Sequence, residues 1–130
     1  MTLSVETPVA IGELIDKITI LEIKVERLSD AAKRENVQME LSMLRARRDQ
    51  AIPQSSGLDA LSAQLKAINE HIWDMEDSIR DCERRANFGP DFVAVARSIY
   101  RTNDERAAVK RQINMVLGSA LIEEKSYSSY

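Results

Sequence analysis

Apolar and small side chains recur at alternating spacings of three and four between residues 58 and 86. The positions are Leu58, Leu61, Leu65, Ile68, Ile72, Met75, Ile79, Cys82 and Ala86. This repeat is kept for four heptads and places all of these side chains on one face of a single helix. At about 1.5 Å per residue, that helix would be roughly 44 Å long. The pattern predicts an all-α fold in which a long helix lies lengthwise against partner helices.

The same rhythm predicts a first helix that begins between residues 8 and 13 and ends near residue 28. Its apolar positions are Ile11, Leu14, Ile18, Leu21, Val25 and Leu28. Thr7 and Pro8 form a possible cap and first residue for this helix. Because Ile20 and Ile23 lie toward another side, the helix has apolar surface for more than one neighbour. We therefore expect it to be central.

A second helix is predicted over residues 31–51, with Asp30 as its cap. Val37, Leu41 and Leu44 form its inner face, and its outer face is charged. The short link from the first helix predicts that the two are antiparallel neighbours. Residues 52–57 contain proline, serines and glycine and form the clearest break in the chain. Ser56, followed three residues later by Asp59, is expected to cap the third helix.

The third helix is expected to end near Asn87, and Pro90 suits the start of a fourth helix. Its predicted buried face consists of Phe92, Val95, Ala96 and Ile99. Thr102 and Glu105 have capping-box spacing, which predicts a new start or a kink near Asn103. The resulting fifth helix would bury Val109, Ile113 and Val116 and end at Gly118.

Together these elements predict an antiparallel helical bundle with a long central helix hairpin and two shorter C-terminal helices. Residues 1–130 would form a single helical domain, with loose tails at 1–7 and 122–130.

Composition and charge narrow the function classes. The chain is 44% apolar and 30% charged, with a net charge of -3 and a pI near 5.3. Nucleic acid is bound mainly by basic surfaces, so an acidic chain is a poor general nucleic-acid binder. The first residues lack a secretion signal, and no apolar run approaches the ~20 residues of a membrane span. With a single cysteine, Cys82, no intrachain disulfide is possible. These features predict a cytoplasmic protein that binds neither nucleic acid nor membrane.

A basic segment is the best candidate for a binding site. Residues 84–111 carry seven basic and three acidic side chains. The candidate anion-binding or partner-binding residues are Arg97, Tyr100, Arg101, Asn103, Arg106 and Lys110. A helix start near residue 103 would add free backbone N–H groups for the same anion. The alternative is that these cations form ion pairs with the acidic faces of the first and third helices, or with Glu123 and Glu124. Both interpretations remain open at this point.

An acidic stripe on the third helix is a weaker candidate for a metal site. Glu70, Asp74, Asp77 and Asp81 share one helical face. All-helical nucleotide pyrophosphohydrolases hold Mg²⁺ with paired carboxylates of this kind, and Glu13 with Asp16 could face the stripe. Nearby arginines can neutralise such a stripe, so a solvated face is the preferred interpretation. No metal or cofactor is expected, and neither a zinc site nor an activated nucleophile is recognisable.

Three stretches together resemble a small bacterial protein family known as a domain of unknown function. They are PVAIGELIDKITILEIK (8–24), IWDMEDSIRDCE (72–83), and ARSIYRTNDERAAVKRQIN with GSALIEEKSY within 96–127. The resemblance covers nearly the whole chain and implies a stand-alone helical protein associated with surface-polysaccharide assembly. It brings no catalytic residues with it. Residues 15–18 and 26–28 are also similar to the first helix of all-helical chorismate mutases, although the basic residues of that active site have no matching positions here.

The sequence thus predicts a non-enzymatic helical protein that forms a homodimer or binds a helical protein partner. The alternative is an anion-binding or catalytic helical module for a phosphorylated or carboxylated small molecule. That module would resemble a Mg²⁺-dependent nucleotide pyrophosphohydrolase or a chorismate mutase.

Overall fold

The computed structural model describes residues 2–130, which form four helices and no strand. Helix α1 spans Ile11–Arg27, α2 spans Ala31–Ala51, α3 spans Ser56–Arg84 and α4 spans Pro90–Leu117. The predicted all-α class is confirmed. Within the described residues, no helix combines the length and the apolar character that crossing a membrane requires.

Helix α1 is the central element, as its two-sided apolar pattern predicted. It packs against all three other helices, whereas α2 packs against α1 alone. One buried cluster joins α1 to α3, to α4 and to Ile52, which follows α2, and consists of Ile15, Ile52, Leu58, Leu65, Val109 and Ile113. A second cluster joins Ile18 and Leu21 of α1 to Leu41 of α2. Both clusters draw on α1, so this helix holds the bundle together.

Helices α3 and α4 form a hairpin and share the most extensive helix–helix interface of the fold. Arg27, in the last turn of α1, pairs with Asp74 of α3 at 2.6 Å, so α3 continues for about three turns past this point. Met75 and Cys82 on this continuation are buried. The facing part of α4 carries half-buried apolar residues, and α3 packs against α4. The far end of the apolar face of α3 is therefore covered by α4 of the same chain.

The prediction of two short C-terminal helices is wrong, because residues 90–117 form one continuous helix. Thr102 is buried inside α4 and does not cap a new helix at Asn103. The capping-box spacing is a local preference of about 1 kcal/mol. The uninterrupted apolar face of α3 favours an equally long partner, and this tertiary packing decides the outcome. Val116 is also corrected, since it is 63% exposed rather than buried.

Several helix ends lie where local capping patterns predicted them. Asp30 caps α2 by accepting a hydrogen bond from Lys33 N at 3.0 Å, as predicted. The predicted start of α4 at Pro90 and its end at Gly118, with φ of 64°, are also confirmed.

Other predicted ends are wrong by a few residues. Helix α3 is capped by Ser55, which accepts from Leu58 N at 3.1 Å, and not by Ser56. It ends at Arg84, and Ala86 lies beyond it with a left-handed φ of 53°. Helix α1 begins at Ile11, within the predicted range of residues 8–13, but Thr7 and Pro8 precede it and do not cap it.

Candidate functional site

A buried cluster of polar side chains lies where α1, α3 and α4 meet. Asp16 of α1 is 1% exposed and receives a bidentate contact from the guanidinium of Arg106 on α4. The Nε atom of Arg106 lies 3.0 Å from one carboxylate oxygen, and its Nη2 atom binds the other. Asn69 of α3 donates to the first of these oxygens at 2.8 Å. One carboxylate therefore joins three helices.

Thr19 completes this arrangement one turn after Asp16. Its hydroxyl donates to the Asp16 backbone carbonyl at 2.8 Å and accepts from Asn69 Nδ2 at 2.9 Å. Every buried side-chain nitrogen or oxygen atom in residues 2–130 has a hydrogen-bond partner. Satisfaction of this kind is what a stable buried polar cluster requires.

Lys110 extends the cluster toward the surface. Its ammonium group lies 2.7 Å from Glu13 Oε2 and 3.1 Å from Glu123 Oε2, and 4.0 Å from Asp16 Oδ2. Burial alone would lower the pKa of Lys110, but hydrogen bonds to Glu13 and Glu123 outweigh burial and raise it. The hydrogen bond to Asp16 likewise raises the pKa of Arg106. Both side chains are therefore held in the charged state.

A close backbone approach fixes α1 against α4 beside this cluster. The N–H of Gly12 donates to Asn114 Oδ1 at 2.6 Å, and Asn114 is 2% exposed. A Cβ atom at Gly12 would overlap the Lys110 carbonyl oxygen and come within 3.0 Å of Asn114 Oδ1. Only glycine allows this spacing.

The predicted anion-binding residues do not converge on one open site. Arg106 and Lys110 point inward and pair with carboxylates of α1 and with Glu123. Tyr100 and Arg101 are exposed on the outer side of α4, and Asn103 is half-buried near them. Arg97 is exposed one turn before Arg101. The structure thus divides the predicted set into an interior pair and an outer group.

The segment that follows α4, residues 119–130, runs back along the outer group. Its side chains bind α4 at both ends: Glu124 lies 3.1 Å from Arg111, and the Tyr130 hydroxyl donates to Asp104 Oδ2 at 2.6 Å. The Tyr130 ring meets the Tyr100 ring edge to face, with centroids 5.2 Å apart. The guanidinium of Arg101 lies 5.9 Å from the Tyr130 ring centroid. Its first residue also contacts α1, because Ser119 Oγ accepts a hydrogen bond from the Ile11 N–H at 3.1 Å. The predicted looseness of residues 122–130 stays a prediction.

Three of the four carboxylates of the α3 acidic stripe lie near arginines, and Asp77 makes no ion pair within the described residues. Arg27 lies 2.6 Å from Asp74 and 4.0 Å from Glu70. The hydrogen bond to Asp74 raises the pKa of Arg27 despite partial desolvation. Asp81 pairs with Arg84 and Arg85, and its hydrogen bond to Arg84 lowers the pKa of the carboxyl. In the part of the chain that the structure describes, no three acidic, histidine or cysteine side chains form a group that could hold a metal.

Sequence reasoning missed the centre of the polar cluster. The sequence interpretation names Asp16 only as a candidate metal ligand and within the similarity to chorismate mutases, and it does not identify Thr19 or Asn69. A pattern that points to them exists, since each is a polar residue at a position where helical spacing predicts burial. Asp16 and Thr19 lie on the α1 face that also carries Gly12 and Ile23, and Asn69 follows Ile68 on α3.

The Family of unknown function (DUF6165) matches residues 4–130 of the chain. The match confirms the predicted resemblance to a family of unknown function. No curated protein and no solved structure matches this chain.

Proposed function

Since the chain belongs to this family of unknown function, we propose from its geometry that it is a non-enzymatic protein-interaction module. The docking surface is the outer face of α4, defined by Arg97, Tyr100, Arg101, Asp104 and Arg111. The observation that carries the proposal is the segment 119–130 seated on that face.

The contacts of this segment indicate which side chains the outer face of α4 can bind. An acidic side chain, Glu124, meets the basic residue Arg111, and an aromatic ring, Tyr130, packs between Tyr100 and Arg101. A complementary partner sequence therefore carries an acidic residue and a later tyrosine, spaced as Glu124 and Tyr130 are in this chain. Aromatic and arginine contacts of this type are those that dominate protein interfaces.

The last part of the segment, residues 124–130, is held weakly enough to be exchanged, whereas Ser119 and Glu123 are anchored by Ile11 and by the buried Lys110. It forms no helix or strand, and Tyr127 and Tyr130 are 80% and 76% exposed. Its ion pair with Arg111 is open to solvent, and exposed pairs contribute at most about 1 kcal/mol. The proposed occupant in trans is the same segment of a second copy, so that two copies exchange their segments and form a homodimer.

The charge states of the site residues support an interaction role over catalysis. The resolved pKa shifts of Arg106 and Lys110 are upward and those of Asp81 and Glu123 are downward, so each group keeps its charge at neutral pH. A general acid or base needs a pKa near the working pH. The alternative anion-binding role finds less support at Arg106 and Lys110, because carboxylates already occupy both.

A charge-exchange experiment tests the proposed dimer. Light scattering at micromolar concentrations and above should show a dimer for the wild-type chain. Arg111→Glu and Glu124→Arg each lose the same ion pair in the closed monomer and in the exchanged dimer, so neither change alone favours the dimer. Mixing the two variants should raise the dimer fraction above that of either variant, because only in the mixed dimer does each docked segment meet a residue of opposite charge. The double variant keeps the pair with its signs reversed and should dimerise like the wild type.

Arg47→Glu is the matched control, since Arg47 pairs with Glu6 in an exposed ion pair on α2, away from α4. It makes the same charge change, but mixing it with Glu124→Arg should give no additional dimer. A wild-type chain that stays monomeric at every concentration would contradict the exchange. A mixture of Arg111→Glu and Glu124→Arg that dimerises no more than either variant alone would place the interface elsewhere. A cytoplasmic location and a role in surface-polysaccharide assembly stay predictions from the sequence.

A further inference from the structure

A groove beside the buried polar cluster has the features of a small-molecule site. It encloses about 370 Å³ between α1, α3 and α4. Ile20, Ile23, Ile72 and Trp73 form its apolar walls, and Asn69 and Arg106 line its polar end. Ligand pockets commonly combine such walls with a few converging polar groups in volumes of about 300–1,000 Å³.

The orientation of the Asn69 amide is dictated by its neighbours. Its nitrogen donates both to the Asp16 carboxylate at 2.8 Å and to Thr19 Oγ1 at 2.9 Å. The Thr19 hydroxyl has already donated its hydrogen to the Asp16 carbonyl, so both neighbours can only accept. The amide nitrogen must therefore face them, and Asn69 Oδ1 must face away.

The Asn69 oxygen is an unused acceptor that reaches the groove. Asn69 is 6% exposed, and no described residue donates to its Oδ1 atom. Since no buried side-chain oxygen in residues 2–130 lacks a partner, this atom is accessible, and the groove is the space that Asn69 lines.

Arg106 supplies a donor at the same polar end of the groove. Its Nε and Nη2 atoms bind Asp16, and no described residue accepts from Nη1. Nε of Arg106 and Nδ2 of Asn69 contact the same Asp16 oxygen, at 3.0 and 2.8 Å, so the two side chains are neighbours. The bidentate contact fixes the guanidinium before any ligand arrives, which reduces the entropy cost of binding.

The charges around the groove do not favour an anion. The carboxylate of Asp16 already neutralises Arg106, and the rim carries Glu76 and Asp77 with Arg80, which pairs with Glu76. The guanidinium of Arg27 lies 5.8 Å from the centroid of the Trp73 ring, so three carboxylates are balanced by three guanidinium groups. A carboxylate or phosphate ligand would lose its hydration without meeting a net positive charge, whereas an uncharged ligand carries no such cost.

We propose that this groove binds an uncharged planar ring with an adjacent N–H donor and C=O acceptor. The ring packs between the isoleucine side chains and Trp73. Its carbonyl oxygen accepts from Arg106 Nη1, and its N–H donates to Asn69 Oδ1. The inference rests on the groove alone and does not require the docking face of α4.

The test uses 2-pyridone, a planar lactam with this edge, and the indole N–H signal of Trp73, the only tryptophan in the chain. A nuclear magnetic resonance titration should shift that signal saturably. N-methyl-2-pyridone, which lacks the donor, should bind at least about tenfold more weakly, as expected for the loss of one hydrogen bond to a buried group. Benzoate should also bind more weakly than 2-pyridone.

Ile20→Phe fills the groove without touching the polar cluster and should abolish the shift. Val93→Phe is the matched control, because Val93 is 49% exposed and lies outside the groove; it should bind like the wild type. The melting temperature of each variant, followed by circular dichroism, verifies its fold. The proposal is overturned if 2-pyridone gives no saturable shift, if its N-methyl derivative or benzoate binds equally well, or if a folded Ile20→Phe variant still binds.

Discussion

Arg106 of α4 makes a bidentate ion pair with Asp16 of α1, a residue 90 positions earlier in the chain. The carboxylate is 1% exposed, whereas the arginine side chain keeps 29% of its surface accessible. The Asp16 end of this ion pair is buried, and the Arg106 end is partly exposed to solvent. It can therefore position a guanidinium toward solvent while tying α1 to the α3–α4 hairpin.

Removing the buried carboxylate should be strongly destabilising. Asp16→Ala leaves Arg106 and Asn69 without their shared acceptor, and breaking a buried pair from one side costs about 3–5 kcal/mol. Urea unfolding followed by circular dichroism measures this loss. Lys17→Ala, which breaks the exposed Lys17–Glu40 pair of the same helix, is the control and should cost less than about 1 kcal/mol. Equal losses for the two variants would mean that the buried pair contributes no more than an exposed one.

Two glycines should respond to alanine in opposite directions. Gly12→Ala places a Cβ against the Lys110 carbonyl oxygen, and we expect a loss of about 1–3 kcal/mol from overpacking. Gly57→Ala meets no atom within 4 Å in the first turn of α3. There the better helix propensity of alanine should stabilise the protein by up to about 1 kcal/mol. Thermal unfolding of both variants measures the contrast, and a stabilised Gly12→Ala would refute the tight contact between α1 and α4.

Proline at position 103 distinguishes one long helix from two short ones. In a continuous α4, Asn103→Pro removes a backbone hydrogen bond and should cost about 3 kcal/mol or more. If a new helix began after Thr102, position 103 would be its first residue, where proline is well tolerated. Asn103→Ala is the control and should change stability little. Urea midpoints of the two variants decide between the alternatives.

The ion pair between Glu123 and Lys110 should make stability depend on acid. The hydrogen bond from Lys110 lowers the pKa of Glu123 below its usual value of 4.5. A depressed carboxyl pKa stabilises the folded state above the unfolded-state pKa, and this contribution disappears as the pH falls through the folded-state pKa. Glu123→Gln should therefore be less stable than the wild type at pH 7 by under about 1 kcal/mol, since solvent screens the partly exposed pair.

The difference between the wild type and Glu123→Gln should vanish when the pH falls below the depressed pKa of Glu123. Urea midpoints measured across the acid range follow this convergence. A difference that persists unchanged at low pH would show that the variant acts through something other than the charge of Glu123.

Local sequence patterns correctly predicted helix ends that are set by capping residues and prolines close by in the sequence. Helix α2 was predicted with its exact bounds, because Asp30 and Pro53 bracket it. The central position of α1 followed from apolar residues on two of its sides. The split of α4 was wrong because the capping signal at Thr102 is local, whereas the long apolar face of α3 acts along the whole helix.

The candidate site was predictable only in part. The sequence identified Arg106 and Lys110 as candidate anion-binding residues, and gave ion pairs with the acidic faces of α1 and α3, or with Glu123 and Glu124, as the alternative. It did not identify Asp16 as the shared acceptor. Which carboxylate pairs with which cation depends on the rotation and register of packed helices, and these are not encoded in short-range spacing.

The sequence by itself determined that this chain is helical, where most helices begin and end, and which side of each is apolar. These are consequences of side-chain periodicity and capping, which act over a few residues. Only the tertiary structure decided that Asp16, Asn69 and Arg106 meet, and that residues 119–130 lie on α4. Contacts between distant residues depend on how the helices pack, and many packings are compatible with the same helical pattern.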